Sequence, residues 1–121
     1  MTSNKVVHLE LHTADVGEAS HFLSRLLGWR TAEVRAGDSS YVELSLDAHL
    51  GGGIVECGVR PAQWLPYVVV DRLDVATDRA ERLGAAVLLE RREGPSGWRS
   101  VVSSPEGGMI ALWQHKALPD R

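Results

Sequence analysis

His8, Glu10 and His12 form a His-x-Glu-x-His pattern inside a stretch where apolar and polar residues alternate from Val6 onward. Period two is the mark of a strand with one buried face, so all three side chains are predicted to stand on its other face. Imidazole and carboxylate groups in a row suit two chemistries. One is metal ligation; the other is acid/base work or the hydrogen bonding of a ligand's polar groups. Alternate residues lie roughly 6.5–7 Å apart along a strand. Neighbouring members of the row can share one metal ion, but one ion spanning all three is hard to build. A third reading is a polar wall lining a wet cavity.

The chain contains four tryptophans, Trp29, Trp64, Trp98 and Trp113, each at a predicted strand end. Alternation puts Trp113 on one face with Met109 and Ala111, and Tyr67 on one face with Leu65 and Val69. Aromatic groups over a concave sheet stack flat ligands, and indole N–H and phenol O–H groups add fixed hydrogen bonds. Trp29 reads as core or dimer-seam packing. Gly51-Gly52-Gly53 lacks the helix and lysine of a phosphate loop and reads as a tight turn entering a strand. Cys57, the single cysteine, has no basic neighbour in sequence and reads as a small buried thiol. His21, His49 and His115 read as solvent-exposed.

These residues are carried by a pattern that occurs twice. Strands are predicted at residues 6–12, 31–35, 41–46 and 51–57, then at 65–70, 86–90, 98–103 and 109–114. Helices follow the first strand of each half. Asp15 opens one, with Glu18 three residues on as in a capping box, and Gly28 closes it. Asp71 is expected to open the other and Gly84 to close it, at matching offsets. Ala19, Phe22, Leu23, Leu26 and Leu27 form the apolar stripe of the first helix, and Leu73, Ala76, Ala80 and Leu83 that of the second, over residues 73–83. Turns are expected at 36–39 and 91–97, and a short frayed tail at 116–121. Pro66 implies that its strand is entered late or lies at an edge. The reading is α+β: two βαβββ modules forming a curved mixed-sheet cup. One domain of residues 1–121 is expected, with module one at 5–57, a linker at 58–63 and module two at 64–115.

Composition narrows the partners. A net charge of −3 gives no basic footprint for nucleic acid. No apolar run approaches the roughly 18 residues of a membrane span, and residues 1–5 lack a signal-peptide pattern. The expected setting is the reducing cytoplasm. Open sheet edges and exposed aromatics give a physical reason to form a homodimer.

Several motifs resemble those of the vicinal oxygen chelate superfamily, which contains glyoxalase I, bleomycin-resistance proteins, extradiol dioxygenases and fosfomycin-resistance enzymes. The carriers are Val7-His8-Leu9-Glu10-Leu11 with Asp15, Leu26-Leu27-Gly28-Trp29, and the stretch from Trp64 to Asp71. Ala80-Glu81-Arg82-Leu83-Gly84 and Ser104-Pro105-Glu106-Gly107-Gly108 complete them. The resemblance implies the glyoxalase/bleomycin-resistance fold over roughly residues 5 to 115. It also implies where metal-bearing relatives place ligands. The first position is His8. The second is Leu65, or Trp64 if the register slips. The third is Val55 or Glu56, and the last, usually a glutamate, is Ala111. At best His8 and Glu56 survive, short of the three or four protein ligands such centres use.

The leading expectation is therefore a metal-independent protein that sequesters a flat, largely apolar, aromatic ligand such as an antibiotic, with no cofactor. His8, Glu10, His12, Trp64, Tyr67, Trp98, Met109, Ala111 and Trp113 are the expected ligand-binding residues. The alternative is an enzyme of the same superfamily. It would be a glyoxalase-like lyase or isomerase, or a transferase, either using a divalent metal on His8 and Glu56 or using His8 or Glu10 as the acid/base group.

Overall fold

The computed structural model describes residues 4–36, 39–58 and 60–116. Gly37 and Asp38 of the expected turn, Val59 of the expected linker and residues 117–121 of the expected tail lie outside them. The chain divides into two compact units, residues 7–65 and residues 1–6 with 66–121. Each is a βαβββ module.

In the unit of residues 7–65 the order is β1 (Val6–Thr13), α1 (Val16–Leu27), β2 (Arg30–Ala36), β3 (Ser39–Asp47) and β4 (Leu50–Glu56). In space the strands run β2-β3-β4-β1, with β1 parallel to β4 and the other pairs antiparallel. Asp15 caps α1 as expected: its carboxylate accepts from the Glu18 N–H at 2.9 Å. Gly28 ends the helix in the left-handed region at φ 71°, a conformation that costs glycine little. Leu11, Leu23, Leu44 and Ile54 form the buried core, and Val16, Ala19 and Trp29 pack on it. The helix thus meets the sheet along the Val16-Ala19-Leu23 line. The broader stripe read from the sequence is not buried, for Phe22 and Leu26 turn past that line and stand 59% and 62% exposed.

The other unit holds β5 (Gln63–Val69), α2 (Leu73–Arg82), β6 (Ala86–Glu93), β7 (Gly97–Ser103) and β8 (Met109–His115), with β5-β8-β7-β6 as the spatial order. The β5–β8 ladder begins at Tyr67, so the strand is entered after Pro66. Residues 4–6 join this unit, where the Val69 N–H donates to the Lys5 carbonyl at 2.9 Å. The expected Asp71 cap is corrected. Arg72 is the N-cap residue and gives no side-chain cap bond. The Leu73 N–H is instead satisfied by Gln114 Oε1 at 2.7 Å, from β8. The helix ends at Arg82, which leaves Leu83 in the cap and 68% exposed rather than on the core face. Leu73, Val102 and Leu112 form the core, with Ala76, Ala80 and Trp98 against them. Fully buried Ser100 bonds to Thr77 at 2.8 Å, and Thr77 donates to the Leu73 carbonyl. β6 runs on to Glu93, so the turn after it is shorter than the expected 91–97 loop.

Candidate functional site

In the unit of residues 7–65, core residues Leu11, Leu44 and Ile54 face α1. The alternate residues face the other way. His8 pairs with Gly51, Glu10 with Gly53 and His12 with Val55. The Glu10 carboxylate lies between both histidines. Its Oε1 is 2.8 Å from His12 Nε2 and its Oε2 is 3.4 Å from His8 Nε2, in a half-buried setting. An ionised carboxylate only accepts, so His12 Nε2 carries the proton in the shorter contact. The row is thereby one polar unit, with the middle residue spanning the gap that strand spacing leaves.

Gly51, Gly52 and Gly53 lie within β4 rather than in a turn at its entry. Each face uses their missing side chains. A Cβ on Gly51 would stand 3.0 Å from His8 Nδ1, and one on Gly53 3.7 Å from His8 Nε2. A Cβ on Gly52 would come 2.8 Å from Leu46 on the core side. The glycines let the His8 imidazole lie close over the β4 backbone while Leu44 and Leu46 close on it from behind.

The one-residue register left open by the sequence is now fixed in β4. Val55 shares the His8 face. Glu56, two residues beyond core-facing Ile54, lines a groove of about 620 Å³ beside α1 with Ser20, His21 and Glu33. His8 and Glu56 therefore stand on opposite faces and cannot hold one ion, which corrects the pairing considered above. Among the described residues, no three His, Cys, Asp or Glu side chains are placed to hold a metal ion. The donor set does not fit the metal centre that the resemblance implies for metal-bearing relatives. Cys57 is half-buried, not buried, and its N–H extends the ladder to the Thr13 carbonyl.

The expected aromatic residues separate. Trp64 alternates with Leu65 in β5 and so leaves the Tyr67 face. It lines a groove of about 400 Å³ with Leu11, Phe22 and Arg60 on the α1 side. Trp98 pairs with Gln114, next in chain to the Arg99–Trp113 pair, so it faces α2. There it packs on the core, with Arg91 5.4 Å and Lys116 5.6 Å from its ring centroid. Both leave the predicted ligand face because strand alternation sends them to the helix side.

What stays together in the second module is Tyr67, Trp113 and His115, which the sequence reading takes as solvent-exposed and which is exposed in the structure. The Tyr67 and Trp113 rings are tilted at 57° with centroids 6.3 Å apart. Trp113 meets His115 edge-on at 5.9 Å and donates its indole N–H to His115 Nδ1 at 3.2 Å. Nδ1 is therefore unprotonated, and a neutral ring carries its proton on Nε2. Trp113 also lies over Gly97, where a Cβ would come 2.7 Å from the indole. Ala111, on the same face, is 0% exposed and so offers no surface there, while Met109 is half-buried. His115 was findable, being two residues beyond Trp113 in the same strand.

The family model of the glyoxalase-like domain matches residues 5–113. No curated protein matches the chain. Several solved structures do. A hypothetical protein of Bacillus halodurans C-125, BH1468, aligns with TM-score 0.72 at 12% identity, over 99% of this chain and 100% of its own. A glyoxalase/bleomycin resistance protein/dioxygenase superfamily member from Vibrio splendidus 12B01 gives 0.66 at 19%, over 93% and 99%. Methylmalonyl-CoA epimerase of Streptomyces coelicolor, in complex with 2-nitronate-propionyl-CoA, gives 0.66 at 11%, over 99% and 100%. At these identities the likeness is one of fold.

Proposed function

The chain belongs to the glyoxalase-like domain family, and from that premise we propose that it is a metal-independent binder that sequesters a flat, largely apolar small molecule such as an antibiotic. The observation that carries this reading is the Tyr67-Trp113-His115 shelf. Tyr67 is mostly buried and braces a half-buried indole, whose N–H is already held by His115. A ring fixed in this way loses little freedom when a ligand stacks on it. Sequestration asks for affinity and not for transition-state stabilisation. We also take the working form to be a homodimer, which light scattering after size exclusion would test. Calorimetric titration of EDTA-treated protein with flat aromatic antibiotics tests the main reading. Saturable binding that Trp113→Ala abolishes supports it; stoichiometric divalent metal together with substrate turnover overturns it.

A second reading is an enzyme with Glu10 as general base, and one observation favours it. The Glu10 carboxylate is held by His12 at 2.8 Å with His8 beside it. Glu10 would take a proton from an acidic C–H onto Oε2, while the His12 N–H steadies Oε1. An epimerase among the structural neighbours holds a CoA ester analogue, so solvent deuterium exchange into CoA thioesters is the matching assay. Exchange lost in Glu10→Gln would put this reading first.

A further inference from the structure

On the shelf face of the second module, Trp113 of β8 pairs in register with Arg99 of β7, and Arg99 pairs with Arg92 of β6. Directly opposed residues of antiparallel strands point to the same side, with Cβ atoms about 4.5–5.5 Å apart. The row across the module is therefore indole, guanidinium, guanidinium. Like charges placed opposite each other work against the pairing. Among the described residues neither arginine forms an ion pair, although other cations of this module do. Arg72 pairs with Asp74, Arg82 with Asp78 and Lys116 with Glu93. The register shift between Leu89 and Arg92 sets Arg91 over the Trp98 ring on the far face, leaving Arg92 opposite Arg99. Glu93, in register with Trp98, spends its carboxylate on Lys116 on that far face.

We propose that the ligand of the shelf is an anion, whose flat ring covers Trp113 and whose carboxylate or phosphate lies between Arg92 and Arg99. This rests on the binding reading above and names the class of molecule it takes. A planar fork matches either oxyanion with paired N–H donors, and an anion removes the repulsion between the two guanidinium groups. A neutral ring of equal size would gain the stack alone.

The test is calorimetry at low salt with three probes of one ring system: naphthoate, naphthyl phosphate and naphthamide. The two anions are expected to bind the native protein about tenfold more tightly than the amide, the scale of two exposed charge contacts. The better of the two anions identifies the oxyanion. Arg92→Gln with Arg99→Gln should bring the anions down to the amide while leaving the amide unchanged, and its melting temperature should not fall. Equal binding of all three probes by the native protein overturns the anion assignment and leaves the shelf standing. Failure of every probe to bind overturns both. A double variant that still prefers the anions also overturns the assignment.

Discussion

Replacing the three glycines of β4 one at a time by alanine should give three different results. The common part is a small gain, because alanine gives up less chain entropy on folding than glycine. What differs is the neighbour. At Gly52 the new Cβ would lie 2.8 Å from Leu46 Cγ and Cδ1 and 3.0 Å from Leu44 Cβ, within a closed core. Overpacking of this kind costs about 1–3 kcal/mol, or a drop of roughly 4–12 °C in Tm for a domain of this size. At Gly53 the nearest atom is the Val42 carbonyl oxygen at 3.6 Å, an ordinary contact, and stability should hold within about 0.5 kcal/mol. At Gly51 the Cβ meets His8 Nδ1 at 3.0 Å, which a side-chain rotation relieves. Stability should change little there, but the His8 ring must move, shifting its imidazole resonances. Urea denaturation reads the first effect and two-dimensional NMR of the histidine rings the second. A Gly52→Ala variant no less stable than Gly53→Ala would rule out this packing of β4. A slip of one residue turns every side chain of a strand to the other face. That result would take His8, Glu10 and His12 off the face described for them.

Ser100→Ala should cost about 0.5–1.5 kcal/mol by chemical denaturation, since it removes the buried partner of Thr77 and leaves no charge behind. Gln114→Leu takes away the side-chain oxygen that accepts from the Leu73 N–H; a loss of about 1 kcal/mol is expected, with the amide exchange of the first turn of α2 accelerated. Glu93 is held below the ordinary glutamate range, first by its hydrogen bond to Lys116 and then by the charge of that ammonium group. A carboxyl lowered in the folded state adds stability above its unfolded value, and loses it as the pH falls through the folded one. Lys116→Met should therefore move the Glu93 carboxyl resonance titration upward and flatten the acid limb of the stability profile.

The repeated βαβββ order was legible because its signals are local. Asp15 and Gly28 punctuate α1 within the chain, and alternation through β1 placed His8, Glu10 and His12 on one face. The errors came where distant parts of the chain decide, or where strand phase and helix length override residue type. Asp71 looked equivalent to Asp15, yet the first N–H of α2 finds its acceptor on Gln114, a strand 41 residues away. Trp64 and Trp98 were grouped with Tyr67 and Trp113 by residue type, whereas strand phase sends them to the helix side. Leu83 followed the helical period but lay beyond the point where α2 stops. The run of glycines carried no hint that its two faces serve opposite needs, a polar ring on one and leucines on the other. The Arg92–Arg99 opposition depends on the pairing of β6 with β7, which no single stretch of sequence states.

In the proposed function a braced tryptophan holds a flat ligand without a metal. The most direct measurement is the indole N–H resonance of Trp113 during titration of EDTA-treated protein with naphthoate. A saturable shift of that resonance and of His115 is expected, with the indole signals of Trp64 and Trp98 unmoved. An unmoved Trp113, or a shift that appears only after one divalent ion per chain is restored, would contradict it.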